Sequence, residues 1–513
     1  MTSDFSAGAP DSRQALWLIF WSLALFTAVL VLDTRHNQFP YFYHPDEPTK
    51  VDQVMTSEWN YHHPMLLLSV TKAVVEILRI PPREQDIVEA GRWVSAAFTA
   101  IAVVAFALLA YAWRGWTASI GTGLALLLHH QLFELAHYMK EDPALLMGSA
   151  LTYLTAYAFW FKPNGWRALL MGIAVALAIS GKYVGVVAFG IAVPVLLRAR
   201  GRGDRKRQWI CFAGALAATL LVVNLPLLLH LSAFRQSLGR EMDFVVHGQR
   251  GVTRNVPHAQ YWGIFRDNST PVMWVLLVVF LAARWRERRR LPLVIWLLIA
   301  FPFACTLALS FFPKSNDRYF LPASACFTVL AALGAVDAAK YLSRWMRYRW
   351  ALAGTAAALV IAQIPSWITY EAAFQRDDNA ELLDWVKTQA PPDAVIAKDS
   401  RVQLPDPGNP NDKTRFPPMP QKILSERYAA DVGSVEKMRD MGVTFVAVSE
   451  SDYGKFRLRS LRPQAEEAES FARRKEFYDN LLRDGELLFE RERGAVLYLH
   501  PGIRVYRLPP KGN

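Results

Sequence analysis

Four stretches of this chain run for about twenty residues without a charge: Ala15 to Leu32, Trp93 to Trp113, Trp209 to Leu229 and Leu291 to Phe312. Roughly twenty apolar residues are what a helix needs to cross the hydrocarbon of a bilayer. Runs of that length are read as spanning helices and not as the core helices of a soluble protein. Composition agrees, since about half of the 513 residues are apolar, 17 are Trp and the mean hydropathy is positive.

The formal charge of +12 could suggest a nucleic-acid partner. The basic residues, however, cluster between apolar runs, at Arg198 to Arg207, Arg284 to Arg290 and Arg344 to Arg349. That is the signature of cytoplasmic loops, so the excess charge reports orientation and excludes nucleic acid as the reason for it. With those clusters inside, eleven spans are expected: about 15 to 33, 91 to 113, 118 to 137, 143 to 161, 167 to 180, 183 to 198, 209 to 230, 271 to 283, 291 to 312, 319 to 341 and 350 to 370. The amino terminus then lies inside, and the outer segments are 34 to 90, 138 to 142, 181 to 182, 231 to 270, 313 to 318 and the tail. The first run carries no small-residue cleavage site after it and reads as a retained anchor. Cys211, Cys305 and Cys326 all lie in apolar runs, as small hydrophobes.

The resulting expectation is an all-α polytopic membrane domain over 1–370, followed by a small α/β extracytoplasmic domain over 371–513. The first outer loop, 34–90, is read as carrying two interfacial helices, Pro48 to Trp59 and Met65 to Leu78. In the tail, Asn379 to Ala390 and Ala465 to Arg483 read as helices, Ala394 to Ala397 and Val443 to Val448 as strands, and Leu404 to Pro420 as a loop.

All eleven His residues fall in the outer segments, in the tail or near outer helix ends. Two acidic pairs share that face. Asp46-Glu47 follows the first span, and Asp46, Glu47 and Pro48 would serve equally as the cap and first turn of a helix. Glu141-Asp142 precedes Pro143, with Asp142 expected as the cap of the fourth span. Ionisable groups near membrane depth are costly and usually face a polar cavity, where one carboxylate can accept a proton while another orients a substrate. Outward-side cations, Lys182, Arg266, Lys314 and Arg318, run against the positive-inside bias and suit an anionic leaving group, although long side chains at helix ends also snorkel. The chain has no Walker loop, dinucleotide fingerprint, nucleophile elbow or HExxH. No cofactor is called for; His62, His63, His137 and the nearby carboxylates could in principle hold a divalent metal, but their spacing is not diagnostic.

Asp46-Glu47, His63-Pro64, Arg92, Glu141-Asp142, Ser180-Gly181-Lys182-Tyr183 and Arg318-Tyr319-Phe320-Leu321-Pro322, in this order between about Ala15 and Ala339, resemble the GT-C glycosyltransferases. The nearest branch is that of protein O-mannosyltransferases and the lipid A aminoarabinose transferase. The resemblance implies a GT-C-like fold and transfer of a sugar from a polyprenyl-phosphate donor to a protein, lipid or polysaccharide acceptor, usually with inversion, outside the cytoplasmic membrane. It also implies roles: Asp46 as the base, with Glu47 shaping the site; His63, His137, Glu141 and Asp142 as positioning groups for acceptor or donor; Lys182 and Arg318, with Lys314 and Arg266, for the lipid phosphate. His62-His63-Pro64-Met65 stands where many relatives have Lys-Pro-Pro, which leaves that position open. A multi-span transporter or flippase is the alternative, disfavoured by the lack of internal duplication and by the long interfacial first loop.

Overall fold

The computed structural model of the chain describes residues 12–199, 204–247, 253–254, 257–311, 317–409, 412, 414–458, 461–463 and 465–508. They form two compact units. The first comprises residues up to 37, 49–246 and 257–367; the second comprises 38–48, 247–256 and the chain from 368 onward.

The first unit is helical. Among the described residues six helices are long and apolar enough to cross a membrane: Ser12–Asp33, Glu84–Arg114, Asp142–Phe161, Arg205–Val223, Asp317–Leu342 and the run Tyr348–Gln389. Four shorter apolar helices accompany them, Trp116–Leu127, Gly165–Gly181, Tyr183–Arg198 and Leu293–Leu309. The expected eleven spans therefore do not all appear as single full-length helices. Polar contacts explain two of the breaks. The span expected over 118 to 137 is divided at Leu128-His129, where His129 bonds Ser324 (2.9 Å) and His130 bonds Asn268 (2.8 Å) and Ser366 (2.9 Å). The span expected over 209 to 230 ends its first helix at Val223. Asn224 there accepts from the Met65 amide (3.1 Å) and donates to Ser180 (2.7 Å), and Pro226 then starts a short new helix. The outer segment expected as loop over 231 to 270 holds helices Leu231–His247 and Pro257–Asp267.

Burial sorts these helices. The helix Leu321–Leu342 is buried almost throughout and packs on Pro271–Glu287, Tyr348–Ile361 and Trp116–Leu127. By contrast Ser12–Asp33 leaves Leu16, Trp17, Ile19, Phe20 and Leu23 exposed, an apolar flank suited to lipid. Small residues bring backbones together: a Cβ on Gly148 would collide with the backbone of Ala178, and one on Gly181 would lie 2.6 Å from the Leu145 amide nitrogen. Two glycines thus bring the end of Gly165–Gly181 against the start of Asp142–Phe161.

The second unit is α/β. Its strands are Thr253–Arg254 (β1), Val395–Lys398 (β2), Lys422–Ser425 (β3), Val443–Ser449 (β4), Leu461–Arg462 (β5), Glu486–Arg493 (β6) and Pro501–Arg507 (β7). β1 and β5 form an antiparallel pair, and the main sheet has the order β3-β2-β4-β7-β6. β2 runs parallel to β3 and β4, whereas β7 is antiparallel to β4 and β6. From Phe445 to Val448 successive residues of β4 face alternate cores. Phe445 and Ala447 face Leu382 and Val386 of the helix Asp378–Gln389; Val446 and Val448 face Phe477 and Tyr478 of Ala468–Asp484. Helices thus cover both faces of the sheet.

Candidate active site

In the first unit the sequence Lys140-Glu141-Asp142-Pro143 opens the helix Asp142–Phe161. Asp142 was expected to cap it. Instead Glu141 holds the N-cap position, in a helical conformation with no side-chain cap bond, and Asp142 is the first helical residue, followed by Pro143. Asp142 is spent elsewhere: its Oδ1 accepts from Lys182 Nζ at 2.6 Å, and its buried Oδ2 makes no hydrogen bond among the described residues. Both carboxylates still gain from the positive end of the helix.

Lys182 reaches Asp142 because Gly181 allows the close approach described above and Lys182 itself is in extended conformation at the helix end. Its ammonium lies 4.7 Å from the centre of the Tyr319 ring, and the Arg318 guanidinium lies 5.7 Å from the same ring. The Arg318 charge also acts on Asp142. Lys182, Asp142 and Arg318, three residues singled out in sequence, are thus brought together.

Glu141 has a partner that sequence reasoning missed. Lys50, in the helix Glu47–Thr56, sits 2.8 Å from the Glu141 carboxylate and donates to the Met139 carbonyl at 2.8 Å. The two side chains are only 4% and 3% exposed. Burial alone would raise the Glu141 pKa; the charges of His63, Lys50 and Lys140 outweigh it and hold the carboxyl well below its usual range. His63, half-buried, is pushed down to about 4 by desolvation, against the attraction of Glu141. Lys50 lies in the segment read above as an interfacial helix and was not singled out there. Its position one turn after Glu47, and the run Lys140-Glu141-Asp142, are the signals that could have found this cluster.

The remaining residues are placed as follows. Both ring nitrogens of His137 face carbonyl oxygens, of Phe133 (2.7 Å) and Arg35 (2.9 Å), so this ring staples two segments. Arg92 is fully buried and donates to the Asn37 carbonyl. Arg266 is exposed and pairs with its neighbour Asp267 at 2.9 Å, remote in character from a desolvated phosphate site. Lys314 lies outside the described residues. No three His, Cys, Asp or Glu side chains among the described residues converge as a metal site would require.

Asp46 and Glu47 belong to the second unit, in the strap Gln38–Pro48. The strap is fastened there by aromatic and polar contacts. Tyr43 donates to Asp377 at 2.6 Å, Phe42 lies 5.2 Å from Phe416 and Phe39 lies 6.0 Å from Phe374. His44 packs 4.4 Å from Tyr498 and accepts the Asp46 amide through Nδ1 at 3.1 Å, which fixes the turn into the helix that Glu47 begins. Asp46 is half-buried and Glu47 is buried.

Residues 83–237 match the family model of dolichyl-phosphate-mannose-protein mannosyltransferases. No curated protein matches the chain in sequence. Among solved structures, the oligosaccharyltransferase of Archaeoglobus fulgidus in its apo form superposes with a TM-score of 0.50 at 11% identity, covering 85% of this chain and 70% of that one. ArnT from Cupriavidus metallidurans, bound to undecaprenyl phosphate, superposes with a TM-score of 0.48 at 12% identity over 98% of this chain and 100% of that one. The fold is thus GT-C-like, and over residues 83–237, which include Glu141, Asp142 and Lys182, the chain resembles the dolichyl-phosphate-mannose-protein mannosyltransferases.

Proposed function

We propose that this chain is an integral membrane glycosyltransferase that moves a sugar from a polyprenyl-phosphate carrier to an acceptor at the outer face of the cytoplasmic membrane, with inversion. The observation that carries the reading is the buried cluster Lys50–Glu141 and Lys182–Asp142, with Arg318, at the opening of a helix inside the segment that matches the mannosyltransferase model. Buried charges cost several kcal/mol each to desolvate, and a fold concerned only with stability would replace them with apolar residues. Their presence at the end of a membrane helix suits a polar reaction at the membrane surface.

In this reading Asp46 accepts the proton of the acceptor hydroxyl or amine as that atom attacks the anomeric carbon. The bond from that carbon to the phosphate oxygen breaks, and the leaving group is the polyprenyl phosphate itself. Lys182 and Arg318 meet its charge, Arg through paired donors. Glu141 keeps Lys50 in place. Asp142 holds Lys182 through Oδ1 and can accept a substrate hydroxyl through Oδ2. No nucleotide-binding element is required, because the donor carries its own lipid phosphate. The positive-inside rule, which favours a cytoplasmic side for the three arginine clusters, supports an outer tail in this reading.

The test is Asp46→Asn. Sugar transfer should fall by about 10²- to 10⁴-fold, the usual contribution of a positioned base, while carrier binding persists. Undiminished transfer would remove Asp46 from the role of base. A flippase would translocate the intact lipid-linked sugar and release no free polyprenyl phosphate.

A further inference from the structure

The second unit contains a cavity of about 1140 Å³ that plays no part in the reaction described above. It opens at the carboxyl ends of β2, β3 and β4, the three parallel strands of the sheet. In α/β sheets this edge is where ligands bind, because the strand-to-helix turns there present side chains and amides with no sheet partner. Each strand contributes a cation to it: Arg401 after β2, Arg427 after β3 and Lys455 after β4.

Five carboxylates also line the cavity, and four of them are already engaged: Asp406 accepts the Gly408 and Ser425 amides, Asp412 pairs with Lys398 at 3.4 Å, Asp431 is held by Arg474 and Asp452 lies beside Arg401. Arg401 is 3.4 Å from Asp452, whose other oxygen takes the Arg401 amide at 3.2 Å; one guanidinium nitrogen of Arg401, Nη1, is buried and makes no hydrogen bond among the described residues. Arg427 lies over the Tyr428 ring, 5.4 Å from its centre. Lys455 bonds the Tyr428 hydroxyl and sits 4.2 Å from the same ring. Among the described residues neither Arg427 nor Lys455 has a carboxylate within ion-pair distance. Asp431, also on the wall, is already held by Arg474 at 2.8 and 3.0 Å, and Glu426 is exposed. Burial, with the neighbouring Arg427 and Arg401 charges, pushes the Lys455 ammonium down to about 8 against the pull of Asp452. An anion in the cavity would relieve the repulsion that Arg427 and Arg401 exert on Lys455.

The cavity also has aromatic wall: Tyr43 and Tyr498 line it. Flat rings suit the faces of sugar rings, as cations suit acidic substituents. We infer that this cavity binds an anionic saccharide, a glycan bearing phosphate or carboxylate groups, through Arg401, Arg427 and Lys455. If the chain is a glycosyltransferase, the inference gives the chemical class of its acceptor or of a glycan that recruits it; binding itself does not depend on that reading.

The experiment is titration of the full-length protein in detergent micelles with mannose 6-phosphate, with a glucuronic-acid oligosaccharide, with inorganic phosphate and with mannose. The acidic sugars should bind at least tenfold more tightly than mannose and than inorganic phosphate, and their affinity should drop several-fold between 50 and 500 mM salt. The triple variant R401Q/R427Q/K455Q should lose at least tenfold in affinity for both acidic sugars. The salt series on the unaltered protein tests the same point without relying on the variant's folding. Equal binding of mannose or of phosphate alone, affinity insensitive to salt, or a folded triple variant with unchanged affinity would each overturn the inference. A transferase that turns over but shows no acidic-sugar binding refutes the inference alone; acidic-sugar binding without turnover refutes only the proposed reaction.

Discussion

Two clusters of cations, one in each unit, are built on opposite principles. In the membrane unit Lys50 and Lys182, at the opening of Asp142–Phe161, each meet a carboxylate almost fully out of water: Glu141 at 2.8 Å and Asp142 at 2.6 Å. In the α/β unit Arg401, Arg427 and Lys455 gather round a wide cavity, and among the described residues Asp452, beside Arg401, is the one carboxylate within ion-pair distance of any of them. Desolvated pairs hold one geometry and punish the loss of either member, because the survivor is left charged and unpaired. Partly exposed, mutually repelling cations hold little geometry of their own and lose little when one is removed. The first arrangement suits groups that must be fixed beside a reacting centre, and the second suits a surface that awaits its counter-charge.

The contrast breaks most clearly at Glu141. Glu141→Ala should cost about 3–5 kcal/mol, since it strands the buried Lys50. Thermal unfolding in detergent measures it, and Lys50→Met with Glu141→Leu should recover most of the stability without recovering sugar transfer. If the double variant is as unstable as the single one, the pair is not the reason for the loss. Next come Lys182→Ala and Arg318→Ala, which should weaken carrier binding by about 10- to 100-fold, the worth of one or two charge-assisted bonds, and alter acceptor binding less. Unchanged carrier affinity would reduce both to snorkelling side chains.

Smaller still is a pH effect in the α/β unit. His500 faces two acceptors, Asp378 at 2.9 Å and the Ala373 carbonyl at 2.6 Å. Burial opposes the charged ring, but these bonds prevail and raise its pKa above the ordinary 6.5. A raised folded-state pKa means that the folded form binds the proton more tightly. Its contribution is therefore complete below about pH 6.5 and is lost as pH rises through the raised value. Unfolding followed from pH 6 to pH 9 should show this decline, and His500→Gln should flatten it. Smallest of all, Arg427→Gln should shift stability by no more than about 0.5 kcal/mol, as for a surface site. A loss as large as that at Glu141 would erase the distinction between the clusters.

The fold was legible where a pattern repeats. Uncharged runs gave the membrane helices, and short apolar runs gave β2 and β4, which are buried on both faces of the sheet. It was less legible where single polar residues interrupt the pattern. His129 and Asn224 divide expected spans through bonds to Ser324, Met65 and Ser180, which lie far away in sequence. The helices of 231 to 270 went unread because their composition is mixed. In the site, Glu141, Asp142, Lys182 and Arg318 could be found by their types and positions, but the pairing could not. Lys50 in particular was not singled out, since nothing local reveals that its ammonium is buried against Glu141. The cap at Asp142 was misread because a carboxylate beside proline fits a helix start equally well as N-cap or as first residue, and only Lys182 decides between them.

The most direct test of the central proposal is release of polyprenyl phosphate by the purified protein incubated with a panel of polyprenyl-phosphate sugars and a mixed acceptor fraction. At least one donor should be consumed, with polyprenyl phosphate and a glycosylated or free sugar formed in equal amounts. A panel left wholly intact by folded protein would contradict the assignment of a glycosyltransferase.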